Sequence, residues 1–258
     1  MKQNSILTLA AFAFSFAIVS GLLPLAQAAP ASAPFSEAAA PVEKEFEGTG
    51  EVSSLVTNGN TKTQTTGLGF DITYRPNPWL VNLKSKYATT ITQDVQTQEQ
   101  FEVSGRGGRK LTDVTDVFIE QLYLKNRFAG TDNRFISNAG VGHFWIENDT
   151  TVLRNEAALG YTHEERTDNT KRGFMSGSLG VVAKYKFTPT SDISHETRYM
   201  PNFATSEDWR LTTETALSSA ISSMLSSKIS WKYEHVNMPP AGKVKGDTTT
   251  TISLLAKF

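Results

Sequence analysis

Hydrophobic and polar residues alternate with a period of two along most of this chain, from about residue 44 to the C-terminus. The clearest example is Asp247–Phe258, in which Ile252 and Leu254 fall on one face and Ser253 and Lys257 on the other. A period of two indicates β-strands with unlike faces, because successive side chains of a strand point to opposite sides of the sheet. The pattern therefore predicts an all-β protein.

Clusters of Gly, Asn, Asp and Pro interrupt the alternation at regular intervals, as at Asn58–Asn60 and Arg75–Pro78, and mark turns between about twelve strands. Each segment is near or above the ~9–11 residues that a membrane-spanning strand needs. The predicted strands are Lys44–Thr57, Thr61–Tyr74, Trp79–Thr92, Thr97–Arg109, Asp116–Phe128, Arg134–Trp145, Thr151–Thr162, Arg172–Phe187, Asp192–Phe203, Asp208–Ile221, Ser227–Val236 and Asp247–Phe258.

The two faces of these strands differ in chemistry. One face collects interleaved acids and bases, namely Glu47, Glu51, Asp71, Lys84, Lys86, Glu102, Arg106, Lys125, Arg154, Glu156, Lys184, Lys186, Glu196, Arg198, Arg210, Glu214, Lys228, Lys232 and Glu234. The other face collects apolar residues, namely Phe70, Ile72, Tyr74, Val81, Leu83, Phe118, Leu124, Leu159, Tyr161, Val181, Tyr185, Leu211, Ile229, Trp231 and Tyr233.

The number of strands decides which face points outward. About eight strands make a barrel that side chains just fill, so twelve apolar stripes pointing inward would leave a large cavity or need a second sheet. Turned outward, the apolar stripes meet lipid, whereas charges on the lipid side would cost about 2–4 kcal/mol each at the bilayer midplane. We predict a transmembrane antiparallel up-and-down β-barrel of about 12 strands, closed between the first and last strand. The alternative is a soluble exported β-sandwich.

Three local expectations follow from the same pattern. In the fifth strand Phe118 and Leu124 are expected to face lipid opposite Lys125, with a bulge near Glu120 where the alternation breaks. The fully polar segment His163–Lys171 is expected to be an outer loop, as is Met238–Gly246, with both termini on the periplasmic side. No long loop that folds into the barrel is predicted.

The N-terminal segment has the organisation of a secretory signal peptide. A short positive start is followed by the apolar run Ile6–Leu25 and by small residues at Ala26–Ala28, so cleavage is predicted after Ala28. A retained membrane helix is the alternative. The predicted domains are a signal peptide at 1–28, a flexible Ala/Pro-rich periplasmic leader at 29–43 and an outer-membrane barrel at 44–258.

Composition narrows the possible functions. Removal of 28 residues from the 258 leaves 230, which is within the range of one all-β domain. The chain has no cysteine, so an exported domain must be stabilised by its own sheet or by a membrane. The net charge of −1 argues against nucleic acid as a partner, because nucleic-acid binding requires a basic surface.

Candidate chemistry is sparse, and no catalytic, cofactor-binding or metal site is predicted. The four histidines lie far apart in the sequence, without metal-binding spacing. His195 could pair with Ser176 or Ser178 on an adjacent strand in a lipid-modifying enzyme. Glu164 and Glu165 with Asp168 could hold a divalent ion at the outer rim, although a solvated loop is the simpler interpretation.

Several short motifs resemble one known family when they are taken together. They are G-N-T-K-T at 59–63, R-K-L-T-D at 109–113, D-N-R-F at 132–135, G-V-G-H-F at 140–144 and E-A-A-L-G-Y-T-H-E-E-R at 156–166. The chain resembles, over Phe46–Phe258, the salt-induced outer-membrane protein family, also called domain of unknown function 481. A tryptophan often found before the first strand's glycines is absent, and Phe46 stands nearby. The resemblance implies an outer-membrane barrel of a Gram-negative envelope and no catalytic residues.

The expected function is that of a passive pore or a structural envelope protein with a charged lumen, linked through the family resemblance to salt or osmotic stress. Outer-membrane lipids are the expected partners, together with the barrel-insertion machinery, which would recognise the last strand and its terminal Phe258. The alternatives are an outer-membrane lipid-modifying enzyme and a soluble periplasmic β-protein that binds a ligand. The solute and the oligomeric state stay open.

Overall fold

The computed structural model describes residues 45–57 and 63–258, so the predicted signal peptide, leader and first turn lie outside the described residues. Every element that it describes within those ranges is a strand or a turn. The strands are β1 (Phe46–Thr57), β2 (Thr63–Tyr74), β3 (Trp79–Thr92), β4 (Val95–Lys110), β5 (Thr115–Asn126), β6 (Thr131–Glu147), β7 (Thr151–Arg166), β8 (Lys171–Thr188), β9 (Ser191–Pro201), β10 (Trp209–Ala220), β11 (Leu225–Val236) and β12 (Gly246–Lys257).

The twelve strands form one closed antiparallel barrel in which each strand pairs with the next along the chain and β1 pairs with β12. This confirms the predicted fold class and strand number. Over residues 45–57 and 63–258 there is no helix of the length and hydropathy needed to cross a bilayer.

The seam that closes the barrel is short. Described pairs between β1 and β12 run only from Thr49 opposite Lys257 to Ser53 opposite Ser253, whereas β1 pairs with β2 along its whole length. Beyond β12, Phe258 exchanges two backbone hydrogen bonds with Gly48, of 2.9 and 3.0 Å. The Phe258 ring lies where a Gly48 side chain would be, so glycine leaves room for the terminal aromatic.

Deleting Phe258 should therefore weaken closure of the barrel. The variant loses the two hydrogen bonds to Gly48 and the ring packing on a seam with few other pairs. We expect the fraction of folded barrel, measured by heat-modifiable mobility on gels after refolding into micelles, to fall well below that of Phe258→Tyr. Equal folded fractions for the two variants would contradict this role.

The outer surface of the barrel is apolar. Ile119 is 68% exposed and Leu159 63%, and these side chains belong to a continuous outer face of strand residues. The predicted outward residues that are exposed are Phe70, Tyr74, Val81, Leu83, Leu159, Tyr161, Val181, Tyr185, Ile229 and Trp231. Ile72 of β2, Leu211 of β10 and Tyr233 of β11 are half-buried.

The prediction for the fifth strand was wrong. Phe118 and Leu124 are buried, at 5% and 0% exposure, and share the inner face with Glu120, while Lys125 lies opposite the exposed Phe101 on the outer face. The register shift beside β5 lies between Leu124 and Asn126, not at Glu120. The physical reason is that side chains, and not water, fill the interior beside β5. Apolar side chains therefore pack on the inner face as well.

The polar segment predicted as an outer loop is mostly strand. β7 continues to Arg166, and only residues 167–170 form the turn to β8. Glu164 lies opposite Arg134 of β6 on one side and Arg172 of β8 on the other. The period-two signal is lost here because His163 and Glu165, at the outer positions beside the inner Glu164, are polar as well.

The two ends of the barrel differ, and we call them the terminus end and the loop end. The terminus end carries residue 45 and Phe258, while the loop end carries the two longest connections, 202–208 and 237–245. Loop 237–245 follows β11, six strands away from the β5–β6 turn in the closed sheet, yet its Pro240 packs against Gly130 of that turn. Arg166 also donates a hydrogen bond to the Met238 carbonyl at 3.5 Å.

Loop 237–245 therefore crosses the mouth of the barrel, a contact that the expectation of no loop folding into the barrel did not foresee. Gly130 has a φ of +87°, and a side chain there would collide with Pro240. Glycine thus allows both the left-handed turn and the close approach of the loop.

Candidate functional site

Ion pairs between strands that are not neighbours define the interior of the barrel. Arg106 of β4 pairs with Glu156 of β7 at 2.7 Å, and Arg198 of β9 pairs with Glu120 of β5 at 3.2 Å. Three strands separate β9 from β5 and two separate β4 from β7 in the sheet. Side chains so placed can meet only through the inside of the barrel.

A buried group of charges occupies the middle of this interior. Arg106 donates two hydrogen bonds to Glu156, of 2.7 and 3.0 Å, and its guanidinium lies 3.6 Å from the centroid of the Phe118 ring. Arg154 contacts Glu156 at 2.8 Å and Asp116 at 2.9 Å. The two carboxylates thus balance two guanidinium groups that are 3% exposed or less. This paired group fills space that an open pore would leave to water.

A second buried group lies near the loop end, and we call it the Glu164 cluster. The Glu164 carboxylate contacts Arg134 and Arg172 at 2.9 Å and Arg166 and Arg210 at 3.2 Å. These four arginines come from β6, β7, β8 and β10, so the cluster spans about half of the barrel. The Glu164 side chain is 1% exposed.

The Glu164 cluster contains more positive than negative charge. Asp208, in connection 202–208, supplies the second carboxylate through Arg172 at 2.8 Å and accepts a hydrogen bond from Asn202 at 2.9 Å. Four guanidinium groups therefore face two carboxylates. The Nε groups of Arg134 and Arg210 are buried and have no hydrogen-bond partner among the residues that the structure describes.

The terminus half of the interior holds a cavity of about 190 Å³. Its walls contain as many acids as bases, namely Glu51, Asp71, Asp192, Glu196 and Glu214 with Lys84, Lys86, Lys184, Lys228 and Lys257. Lys228 pairs with Glu51 at 2.8 Å and Lys84 with Asp71 at 3.0 Å. Acids and bases are thus equal in number around the cavity, whereas guanidinium groups outnumber carboxylates in the Glu164 cluster.

The charges predicted to share one face are placed as follows. Eight line the cavity: Glu51, Asp71, Lys84, Lys86, Lys184, Glu196, Glu214 and Lys228. Eight more occupy alternate, inner positions of their strands: Glu102, Arg106, Arg154, Glu156, Arg198, Arg210, Lys232 and Glu234. Glu47 and Lys186 lie on the inner side at the terminus rim, where Glu47 pairs with Arg75, and Lys125 alone of the set faces outward.

Sequence reasoning placed some members of the buried groups on the charged face, such as Arg106 and Arg210, and missed others. Glu120, Arg134 and Arg172 were not assigned to the charged face, and Glu164 was placed in a solvated loop. The signal available in the sequence was the phase of β5, in which Glu120 alternates with Ile119 and Gln121. Glu164 lies between the polar residues His163 and Glu165, so no alternation marked its face, while Arg134 and Arg172 were the first residues of their predicted strands.

The candidate hydrolytic residues lie on opposite sides of the wall. His195 is on the outer face, where its ring contacts the hydroxyls of Thr215 at 2.9 Å and Thr197 at 3.1 Å. Ser176 and Ser178 are buried at inner positions of β8. A nucleophile and a base on opposite sides of a sheet cannot meet, so this pairing is wrong.

The candidate ion-binding acids near the β7–β8 turn are also separated. Glu164 is enclosed by arginines, whereas Asp168 accepts a hydrogen bond from the Thr170 N–H at 2.9 Å. Hydrogen bonds from the Thr170 side chain and N–H hold the pKa of the Asp168 carboxyl below its usual range. Within residues 45–57 and 63–258, no three His, Asp or Glu side chains are grouped as metal ligands would be.

Comparison with known proteins identifies the family. Residues 50–258 match the family described as "Protein of unknown function, DUF481". The chain belongs to the DUF481 family. This DUF481 protein is 25% identical over 222 residues to "Uncharacterized protein YdiY" of Escherichia coli (strain K12), across 83% of this chain and 84% of that protein.

Solved outer-membrane barrels share the fold of this DUF481 protein. An outer membrane channel from Pseudomonas putida F1 superposes with a TM-score of 0.55 and 8% identity, covering 88% of this chain and 100% of that chain. The NanC porin superposes with a TM-score of 0.52 and 10% identity, covering 82% of this chain and 98% of that chain. The likeness establishes the barrel architecture.

Proposed function

We propose that this DUF481 protein is an outer-membrane barrel that provides a narrow passive passage for small polar solutes and ions. The observation that carries the proposal is the contrast between the two sides of the wall: an apolar outer face and an inner face of paired charges. A soluble protein rarely exposes so large an apolar surface, whereas a barrel in lipid requires it. The porin and channel folds reported above support the same interpretation.

The proposal includes the route by which the protein reaches the membrane. An N-terminal signal peptide cut after Ala28 would export the chain, and the last strand with Phe258 would engage the insertion machinery. Outer-membrane lipids would then cover the apolar outer face. A link to salt or osmotic stress, expected from the resemblance, stays a prediction.

The passage is proposed to be narrow because charged side chains and one loop occupy much of its cross-section. The Arg106–Glu156 and Arg198–Glu120 pairs reach across the interior, and loop 237–245 covers the loop end. A twelve-stranded barrel lies between the filled eight-stranded barrels and the open sixteen-stranded porins. Its conductance should accordingly lie below that of a general porin.

A closed structural wall protein is the second candidate, and the same buried pairs favour it. Because paired charges fill the middle of the barrel, they could stabilise the wall without any transport. An enzyme that acts on lipid has no comparable support from the described residues, since His195 and Ser176 lie on opposite sides of the sheet.

Planar-bilayer recording separates the two candidates. We expect purified, refolded protein to give small, uniform current steps in KCl and in NaCl, below those of a general porin in the same bilayer. Protein denatured before addition is the control for detergent artefacts. Complete absence of steps in both salts, from protein shown to be folded by heat-modifiable mobility, would reject the passage and favour the wall protein.

A further inference from the structure

The Glu164 cluster has a composition that barrel stability alone does not explain. Four guanidinium groups converge on the Glu164 carboxylate. Two guanidinium groups would be enough to neutralise the two carboxylates of Glu164 and Asp208. Burying unpaired charge is costly, and like charges held this close repel each other. The middle of the same barrel shows the balanced alternative, in which Arg106 and Arg154 face Glu156 and Asp116.

The excess positive charge in the cluster has unused hydrogen-bond donors. Among the described residues, the Nε groups of Arg134 and Arg210 are buried and find no acceptor, and these two side chains are 3% and 10% exposed. The Nε of Arg154 in the balanced group is in the same state, so the cluster differs by having these unused donors together with more guanidinium groups than carboxylates. A buried N–H without a partner destabilises the folded protein. A ligand with several oxygen atoms could accept hydrogen bonds from the guanidinium N–H groups that the Glu164 carboxylate does not reach.

We propose that the Glu164 cluster is a binding site for the oxyanion group, carboxylate or phosphate, of a small solute that enters from the loop end. In this account the Glu164 carboxylate holds the position that the solute's oxyanion takes. This inference names the class of solute for the proposed passage. It depends on the proposed function only for the route by which the solute enters.

Guanidinium groups suit this ligand class. Their planar fork of N–H donors matches the oxygens of carboxylates and phosphates, often with two parallel hydrogen bonds. In the cluster, Arg172 donates through both Nε and Nη2 to one Glu164 oxygen, at 3.2 and 2.9 Å. The full fork, with one donor on each carboxylate oxygen, is present elsewhere in this barrel between Arg106 and Glu156. The cluster lies inside the barrel, so a soluble anion can reach it and a bilayer headgroup cannot.

Binding requires Glu164 to move. The space beside Arg210 and Asp208 is about 10 Å³, which is enough for about one water molecule. Arg166 connects the cluster to the loop above it, because its guanidinium contacts both the Glu164 carboxylate and the Met238 carbonyl. A solute oxyanion would therefore displace Glu164 and loosen loop 237–245 at the mouth.

Thermal unfolding in micelles tests the site without relying on transport. We expect sodium phosphate, and in a parallel series sodium succinate, to raise the melting temperature of the full-length protein above that in sodium chloride of equal ionic strength, because a ligand that binds the folded state stabilises it. Arg172→Gln removes one guanidinium and should weaken phosphate binding by about tenfold or more. Arg75→Gln, at the opposite end of the barrel, should leave phosphate binding unchanged.

Glu164→Gln is a second variant with an opposite expected effect. Without the competing carboxylate, phosphate should raise its melting temperature by more than it raises that of the wild type, although the variant starts from a lower value. If Glu164→Gln does not fold, the comparison of Arg172→Gln with Arg75→Gln decides alone. Equal shifts in phosphate and chloride, or equal phosphate binding by those two variants, would overturn the proposal.

The outcome is independent of conductance. A protein that conducts but shows no specific phosphate shift keeps the proposed passage and loses this site. A protein that binds phosphate through Arg172 but never conducts keeps the site and loses the passage.

Discussion

Replacing Pro239–Lys243 by two glycines should raise the single-channel conductance several-fold. The replaced segment carries the loop across the mouth to Gly130, and its removal would open the loop end of the interior. The wall should stay intact because the hydrogen bond from the Val236 N–H to the Lys245 carbonyl lies outside the replaced residues. Bilayer recording of the variant beside the wild type measures the effect.

A matched control comes from the other long connection at the same end. Ala204–Ser206 lies between Asn202 and Asp208, which remain in place, and the adjoining Phe203 is held to the neighbouring Met175 carbonyl at 3.0 Å. Glu207 is kept because its carbonyl accepts a hydrogen bond from Asn237 of loop 237–245 at 2.8 Å. Replacing this segment by two glycines should leave the conductance unchanged. Equal conductance in the wild type and the Pro239–Lys243 variant would show that loop 237–245 does not limit the current.

Glu156→Gln should lower the free energy of unfolding by about 3–5 kcal/mol, the usual cost of leaving a buried charge without its partner. The substitution leaves Arg106 and Arg154 to share Asp116 alone. Urea titration in micelles, followed by tryptophan fluorescence, measures the change.

Glu47→Gln is the control for Glu156→Gln, because Glu47 also pairs with arginine, in this case Arg75 alone at 2.7 Å, but is 54% exposed. An exposed pair contributes at most about 1 kcal/mol, so this variant should unfold close to the wild type. Similar losses for the two variants would mean that burial does not set the energy of the interior pairs.

The strands could be predicted from the sequence because alternation is a local signal. In β3, Leu83 and Lys84 occupy opposite faces and neighbouring residues repeat the pattern, so the bounds Trp79–Thr92 were predicted as the structure has them. Closure between β1 and β12 was also predictable from the apolar alternation of the last strand. Both the strand bounds and the closure were predictable because most of the wall has an apolar outer face and a charged inner face.

The packed side of the interior could not be predicted by the same argument. A rule that places apolar residues outside fails for Phe118 and Leu124, because the inner surfaces of β5–β8 pack against each other and against charged side chains such as Arg106. The Glu164 cluster was hidden for a related reason. Its arginines lie far apart in sequence, and only closure of the barrel brings Arg134 and Arg210 to the same carboxylate.

The path of loop 237–245 was also beyond the sequence signal. Prolines and glycines in this segment predict an irregular connection, but its contact with Gly130 depends on which strands lie opposite in the closed sheet. Long-range contacts of this kind leave no periodic trace in the sequence.

The most direct test of the central claim uses two single-cysteine variants, since the chain has no cysteine of its own. Lys84 lines the interior cavity, and the adjacent Leu83 is 43% exposed on the outer face. In lipid vesicles, Lys84→Cys should react with a charged, water-soluble thiol reagent. When a fluorophore is attached to each cysteine before reconstitution, brominated lipid should quench the fluorescence at position 83. Reagent access at position 83 with lipid quenching at position 84 would contradict a charged interior and an apolar exterior.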